Sequence, residues 1–221
     1  MMKKFTGVLI CSYILGSLVN AAAETASGRY ETKSAVIEFM ISGNIKGTET
    51  AYIDHYGEKE SRFSKYILQM TGNDKEQERL TVREGDLLTN VDLRLNKAVN
   101  IDLNKEMTPG LNIHLTGKEM ADYSPEGLKK MRAVYVGEES VAGKSCKVYE
   151  LPFLKSRLWI YKNIALRYRS NTRGFLVEYI ATAIKEDVDI PEERFSVPQG
   201  VMNVGLVPQN NILGAIQPKT Q

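Results

Sequence analysis

His55 and His114 are the side chains of this chain best suited to moving a proton near neutral pH. Brought together in space with a serine hydroxyl and a carboxylate, either could serve acyl transfer. Neither lies in a motif that positions such chemistry, because the chain holds no Gly-x-Ser-x-Gly elbow, no His-Glu-x-x-His and no glycine-rich phosphate loop. Carboxylates are abundant, but on hairpin strands they usually face solvent, so no glycosidase-type acid pair stands out. Cys146 is the single cysteine beyond residue 23, which excludes an internal disulfide in a chain cut there and a metal site built on paired cysteines. Its context, Gly143-Lys144-Ser145-Cys146-Lys147-Val148, is strand-like, and a small buried apolar residue is expected. Asn90-Val91-Asp92-Leu93 and Asn100-Ile101-Asp102-Leu103 look alike ten residues apart. They lack the oxygen-rich spacing and the glycine of a calcium loop and read as successive strands. No enzyme, cofactor, metal or catalytic residue is therefore expected.

The elements that would position any site begin after a leader. Residues 1–6 carry Lys3 and Lys4 and no acid, residues 8–19 form a short apolar run, and Ala21-Ala22-Ala23 supplies the small residues a signal peptidase reads. The run is interrupted by Gly16, Ser17 and Asn20, too short for a retained span, so a signal peptide over 1–23 is expected. Cys11 follows the bulky Ile10, which does not fit a lipidation site. The chain has 29 basic and 27 acidic side chains, and loss of two lysines with the leader makes it neutral. Neutrality argues against a nucleic-acid partner and against charge-driven membrane adhesion. A periplasmic protein with no transmembrane segment after cleavage is the expectation.

From residue 33 onward the pattern is of strands and tight turns. Strand formers over 33–42 stop at Ser42-Gly43-Asn44, residues 48–66 read as a hairpin about Asp54-His55-Tyr56-Gly57, and strands continue through residue 95. Helix punctuation appears only between about 108 and 131, where Thr116-Gly117-Lys118-Glu119 fits a capping box and Ser124-Pro125-Glu126 a second helix start. Strands resume over 147–151, 157–162, 165–170 and 174–185, joined by connections short enough to force antiparallel neighbours. Residues from 199 onward show no useful period, and a partly disordered tail over 201–221 is expected.

Three segments carry a family resemblance: Val141-Ala142-Gly143-Lys144-Ser145-Cys146-Lys147-Val148-Tyr149-Glu150, then Leu158-Trp159-Ile160-Tyr161-Lys162, and the closing Asp189-Ile190-Pro191-Glu192-Glu193-Arg194-Phe195-Ser196-Val197-Pro198-Gln199-Gly200. In order and spacing they resemble the LolA/LolB-like superfamily of periplasmic lipoprotein carriers and receptors, more closely an uncharacterised group of exported proteins beside it. Residues 52–60 match the family's early hairpin more loosely. The resemblance implies a mainly β domain over 24–200, a curved antiparallel sheet or unclosed half-barrel, with the helical insert over its concave face. It also implies an apolar cavity able to hold acyl chains. Residues 24–32 show no amphipathic helix such as the carriers have, and no receptor-type lipidation cysteine is present.

The function expected on this reading is an exported binding protein sheltering an apolar ligand, a lipid or acylated moiety. The alternative is an envelope protein-interaction module without lipid; a hydrolytic enzyme comes third. Met107, Met120, Leu128 and Met131 in or near the insert are the candidate cavity residues, with Trp159 and Tyr161 on the neighbouring strand. Cell fractionation is expected to place a chain processed after Ala23 in the envelope compartment, and full-length chain retained in the cytoplasm would overturn the export reading.

Overall fold

The structure is a computed structural model and describes residues 28–69, 74–105, 115, 117–172 and 174–206. The expected leader, Met107, His114, most of the first half of the insert and residues 207–221 lie outside the described residues. Strands run β1 (Ala35–Gly43), β2 (Ile45–Asp54), β3 (Lys59–Leu68), β4 (Lys75–Glu84), β5 (Leu87–Asp92) and β6 (Lys97–Asp102). Two short helices follow, α1 (Gly117–Met120) and α2 (Pro125–Lys130). The second run of strands is β7 (Val134–Val141), β8 (Lys144–Leu151), β9 (Ser156–Tyr161), β10 (Ile164–Thr172) and β11 (Phe175–Glu186), with β12 (Met202–Leu206) last. Among the described residues these strands form one sheet in the order β12-β6-β5-β4-β3-β2-β1-β11-β10-β9-β8-β7.

Local chemistry explains the hairpins. Along β1, Ala35, Ile37, Phe39 and Ile41 are buried while Glu38 and Met40 face out, the two-residue period of a half-buried strand. The β1–β2 turn needs Gly43, whose φ is 102° and where a Cβ would sit 2.3 Å from the Leu176 carbonyl oxygen. Between β9 and β10, Lys162 and Asn163 take φ of 48° and 62°, the left-handed pair of a two-residue hairpin turn. The similar tetrapeptides at 90 and 100 prove to be a repeated strand ending. Thr81 Oγ1 donates to Asn90 Oδ1 at 2.7 Å and Thr89 Oγ1 to Asn100 Oδ1 at 3.1 Å, each across a registered pair. Asp92 and Asp102 then accept backbone N–H bonds from the turns that follow.

The two meanders join where β1 pairs with both β2 and β11. The sheet stays open, but it curls enough to bring β7 close to β11. Inside that curl lies the larger core, built from Ile37, Phe39, Ile53, Val148, Trp159, Leu166 and their neighbours. Each such aliphatic side chain contributes about 1.5–3 kcal/mol by leaving water. Beyond residue 199, where the pattern held no period, β12 pairs with β6 and is parallel to it, in an otherwise antiparallel sheet.

The insert starts beside β6, where Lys118 N–H donates to the Leu103 carbonyl, and ends at β7. It therefore passes from one side of the sheet to the other. Ser124 caps α2 through its hydroxyl, which accepts from Gly127 N–H at 3.1 Å, with Pro125 at the first helical position as expected. Gly127 is needed for packing, since a Cβ there would lie 2.1 Å from the Asp122 carbonyl oxygen.

Cys146 is fully buried in the larger core, and burial pushes its thiol up to about 11. Cys146→Ser is expected to cost about 1–3 kcal/mol by placing a hydroxyl among apolar groups, read as a lower Tm. The native thiol should resist an aqueous thiol reagent until the protein unfolds, and fast labelling of folded protein would contradict this placement.

Candidate functional site

Strand β9 alternates, and its two faces meet different surroundings. Leu158 and Ile160 pack with Leu151 of β8 against Leu128 and Met131 of the insert, with Met120, Tyr123, Tyr149, Phe153 and Tyr168 around them. Met120, Leu128 and Met131 are thus brought together in one packed cluster. The interface they make is filled by their own side chains: Leu128 is 4% and Met131 1% exposed. Trp159 and Tyr161 belong to the opposite face of β9 and pack with the larger core, away from the insert. The five described candidates therefore divide between the two faces of β9, because residues next to one another in a strand point to opposite sides.

A second set of residues lies within reach of the insert and is charged. Glu60 accepts from Arg29 Nη2 at 2.6 Å, from Arg62 Nε at 2.7 Å and from the Tyr30 hydroxyl at 3.0 Å. Arg62 also donates to Glu49 at 2.8 Å, and Glu49 takes the Ser64 hydroxyl at 2.6 Å. Glu49 and Glu60 are both buried. Burial alone would raise the Glu60 carboxyl, but Arg62 and Arg29 outweigh it and hold it down to about 2. Burial also raises the Tyr123 phenol, and the charges of Arg62, Arg29 and Glu60 reach it from the sheet. The insert thus covers an apolar floor on one side and approaches buried ion pairs on the other.

At the end of the sheet, Glu186 of β11 accepts from Lys144 at 2.7 Å, Lys162 at 2.6 Å and Tyr161 at 3.2 Å. Burial would raise the Glu186 carboxyl; the two lysine hydrogen bonds dominate and hold it at about 2. Tyr161 thereby has a structural occupation, with both ammonium groups over its ring.

The face of β9 opposite the insert carries an open cavity of about 530 Å³. Arg157, Trp159, Arg167 and Arg169 line it from β9 and β10, with Glu139 and Glu150 on the β7–β8 side. Arg167 lies 4.2 Å from the Trp159 ring centre and is pinned by Glu178 at 2.6 Å. The Trp159 indole N–H donates to Glu139 at 2.7 Å. The alternate Arg167 and Arg169 of β10 are the sequence signal for this face, and their meeting with Arg157 of β9 is visible only once the register between the strands is known.

Of the histidines, His55 is exposed in a 3-10 turn, its Nδ1 3.1 Å from Asp54 Oδ2, with no serine or cysteine among its hydrogen-bond partners. Among the described residues no group of three or more His, Cys, Asp or Glu side chains is arranged to hold a metal ion. No described helix is long and apolar enough to cross a membrane.

No family model matches the chain. An uncharacterised protein of Methanocaldococcus jannaschii is 24% identical over 206 residues, covering 88% of this chain and 57% of that protein. The chain thus spans little more than half the length of that curated relative. Among solved structures, an uncharacterised conserved protein from Thermus thermophilus superposes with a TM-score of 0.49 at 11% identity, over 79% of this chain and 91% of that one. MucB superposes with a TM-score of 0.42 at 13% identity, over 80% and 61%. A chain of the Pseudomonas aeruginosa MucA/MucB complex gives 0.42 at 14%, over 78% and 58%.

Glu60→Gln removes the anion shared by Arg29 and Arg62 and is expected to cost about 3–5 kcal/mol, the usual penalty for orphaning buried charge. Because the Glu60 carboxyl lies below its ordinary value of 4.5, its contribution is present above that value and lost as pH falls toward 2. Chemical denaturation between pH 6 and 2 should therefore show a steeper acid loss in the wild type than in Glu60→Gln, and equal slopes would contradict the ion-pair assignment.

Proposed function

We propose that this chain is an exported, non-catalytic binding module that engages an extended polypeptide of a partner along the free edge of β7. The observation that carries the reading is the uncovered apolar edge. Among the described residues β7 pairs with β8 alone, and Val134, Tyr135 and Val136 are 51%, 54% and 46% exposed. A bulge between Tyr135 and Gly137 leaves Val136 without a cross-strand partner, so three successive apolar side chains face solvent. Proteins ordinarily blunt such edges with charge or cover them. An added strand would satisfy the open backbone groups and seat its own apolar side chains on this patch.

A second reading, an acyl-chain binder, draws on the LolA/LolB-like resemblance and on the apolar floor of Leu151, Leu158 and Ile160. It requires the insert to lift, because Leu128 and Met131 now occupy that floor. A lipid site also needs an apolar lining, and the buried Glu60, with the half-buried Arg62 beside it, lies toward the same insert.

A photo-crosslinking residue placed at Tyr135 should give a polypeptide adduct in cells. Val134→Lys with Val136→Lys should weaken capture of that polypeptide at least tenfold with Tm unchanged. Stoichiometric acyl lipid on the purified protein, with no polypeptide adduct, would overturn this reading in favour of the second.

A further inference from the structure

We propose that the open cavity across β8, β9 and β10, on the face away from the insert, binds a small molecule bearing an oxyanion, a phosphate or carboxylate group, at its arginine end. The site is independent of the β7 edge reading.

Cross-strand register makes the charge placement unusual. Arg169 of β10 stands directly opposite Arg157 of β9, which in turn is opposite Glu150 of β8. Like charges directly opposite on neighbouring strands are destabilising. Glu150 pairs with Arg157 and relieves only one of the two. Glu178, the registered neighbour of Arg169 on β11, is taken instead by Arg167 through Nε at 2.8 Å and Nη2 at 2.6 Å. Among the described residues the Arg169 guanidinium has no ion-pair partner, and neither does the Lys155 ammonium at the rim. An oxyanion between them would supply the missing counter-charge, and a guanidinium fork matches the oxygen spacing of phosphate or carboxylate.

The volume, about 530 Å³, falls within the range of small-molecule sites. The floor is preformed: Trp159 is 2% exposed, its N–H is held by Glu139, and Arg167 is locked over its ring. The cavity is also polarised. Its β10 side carries the unpaired cations, whereas its β7–β8 side carries the carboxylates of Glu139 and Glu150. A matching ligand has its anion at one end and hydroxyl donors at the other, the chemistry of a sugar phosphate or a sugar acid. Surface cations alone would attract any anion without saturation; a built site binds one such molecule and loses it when one arginine is removed.

Isothermal titration of the purified protein at low ionic strength, with glucose 6-phosphate, glucuronate and inorganic phosphate as probes, tests this. Saturable one-to-one binding of glucose 6-phosphate or glucuronate is expected, tighter than inorganic phosphate. Whichever of the two binds more tightly assigns the oxyanion as phosphoryl or carboxyl. Arg169→Gln, an exposed change, should weaken binding at least tenfold with Tm unchanged, while Lys129→Gln on the exposed side of α2 should not. The proposal is overturned if none of the probes saturates, or if Arg169→Gln and Lys129→Gln weaken binding alike. Crosslinking at Tyr135 is unaffected by either outcome, so the two proposals fail separately.

Discussion

Everything in this molecule depends on β1 holding two partners at once. One neighbour in the sheet, β2, follows it directly in the chain, but the other, β11, arrives some 130 residues later. Without that second ladder the chain would be two separate meanders, each with an extra exposed edge. The closure entropy of so long a loop rises only slowly with its length, and the buried row Ala35, Ile37, Phe39 and Ile41 offsets it. Ser34, just before β1, donates to the Val188 carbonyl at 2.7 Å, so the seam is fastened beyond the last ladder bond.

The buried charges around Glu60 belong to the same seam. Arg29 and Tyr30 precede β1, whereas Glu60 and Arg62 lie on β3, so the ion pairs fix how the segment before the first strand crosses the sheet. Such a network contributes little net stability compared with a well-packed apolar substitute, and its worth lies in admitting one arrangement only. Its consequence for binding is an interior of two characters. The insert seats thioether and leucine side chains on the apolar half, and the phenol of Tyr123 toward the charged half.

Much of this is legible in the residue pattern. Alternation in β1, the Lys162-Asn163 turn and the Ser124-Pro125 helix start each name their structure locally, because strand period and turn dihedrals are properties of neighbouring residues. What escapes is set by residues far apart in the chain. Glu60 and Arg62 read as solvent-facing members of a charged hairpin, yet Glu60 is buried and takes a second cation, Arg29, from a segment some thirty residues away. The sequence groups Trp159 and Tyr161 with the insert, yet a strand alone cannot say which of its faces a distant helix will cover. The β12 strand alternates over only five residues, Met202 to Leu206, too short a run to announce itself, and pairing along β6 uses its backbone and leaves Met202 and Val204 exposed. The arginine-lined cavity is invisible for the same reason: Arg157 and Arg169 are twelve residues apart and meet through register.

The insert, finally, joins the two sides of an open sheet with a single length of chain. Leaving β6 and entering β7, it links the two meanders a second time, far from the β1–β11 seam. Its described ties are the Lys118 to Leu103 hydrogen bond beside β6 and the packing of Leu128 and Met131 on Leu151 and Leu158. Loss of the seam alone would therefore leave the halves still joined, through α2 and its apolar contacts, in a sheet that does not close into a barrel.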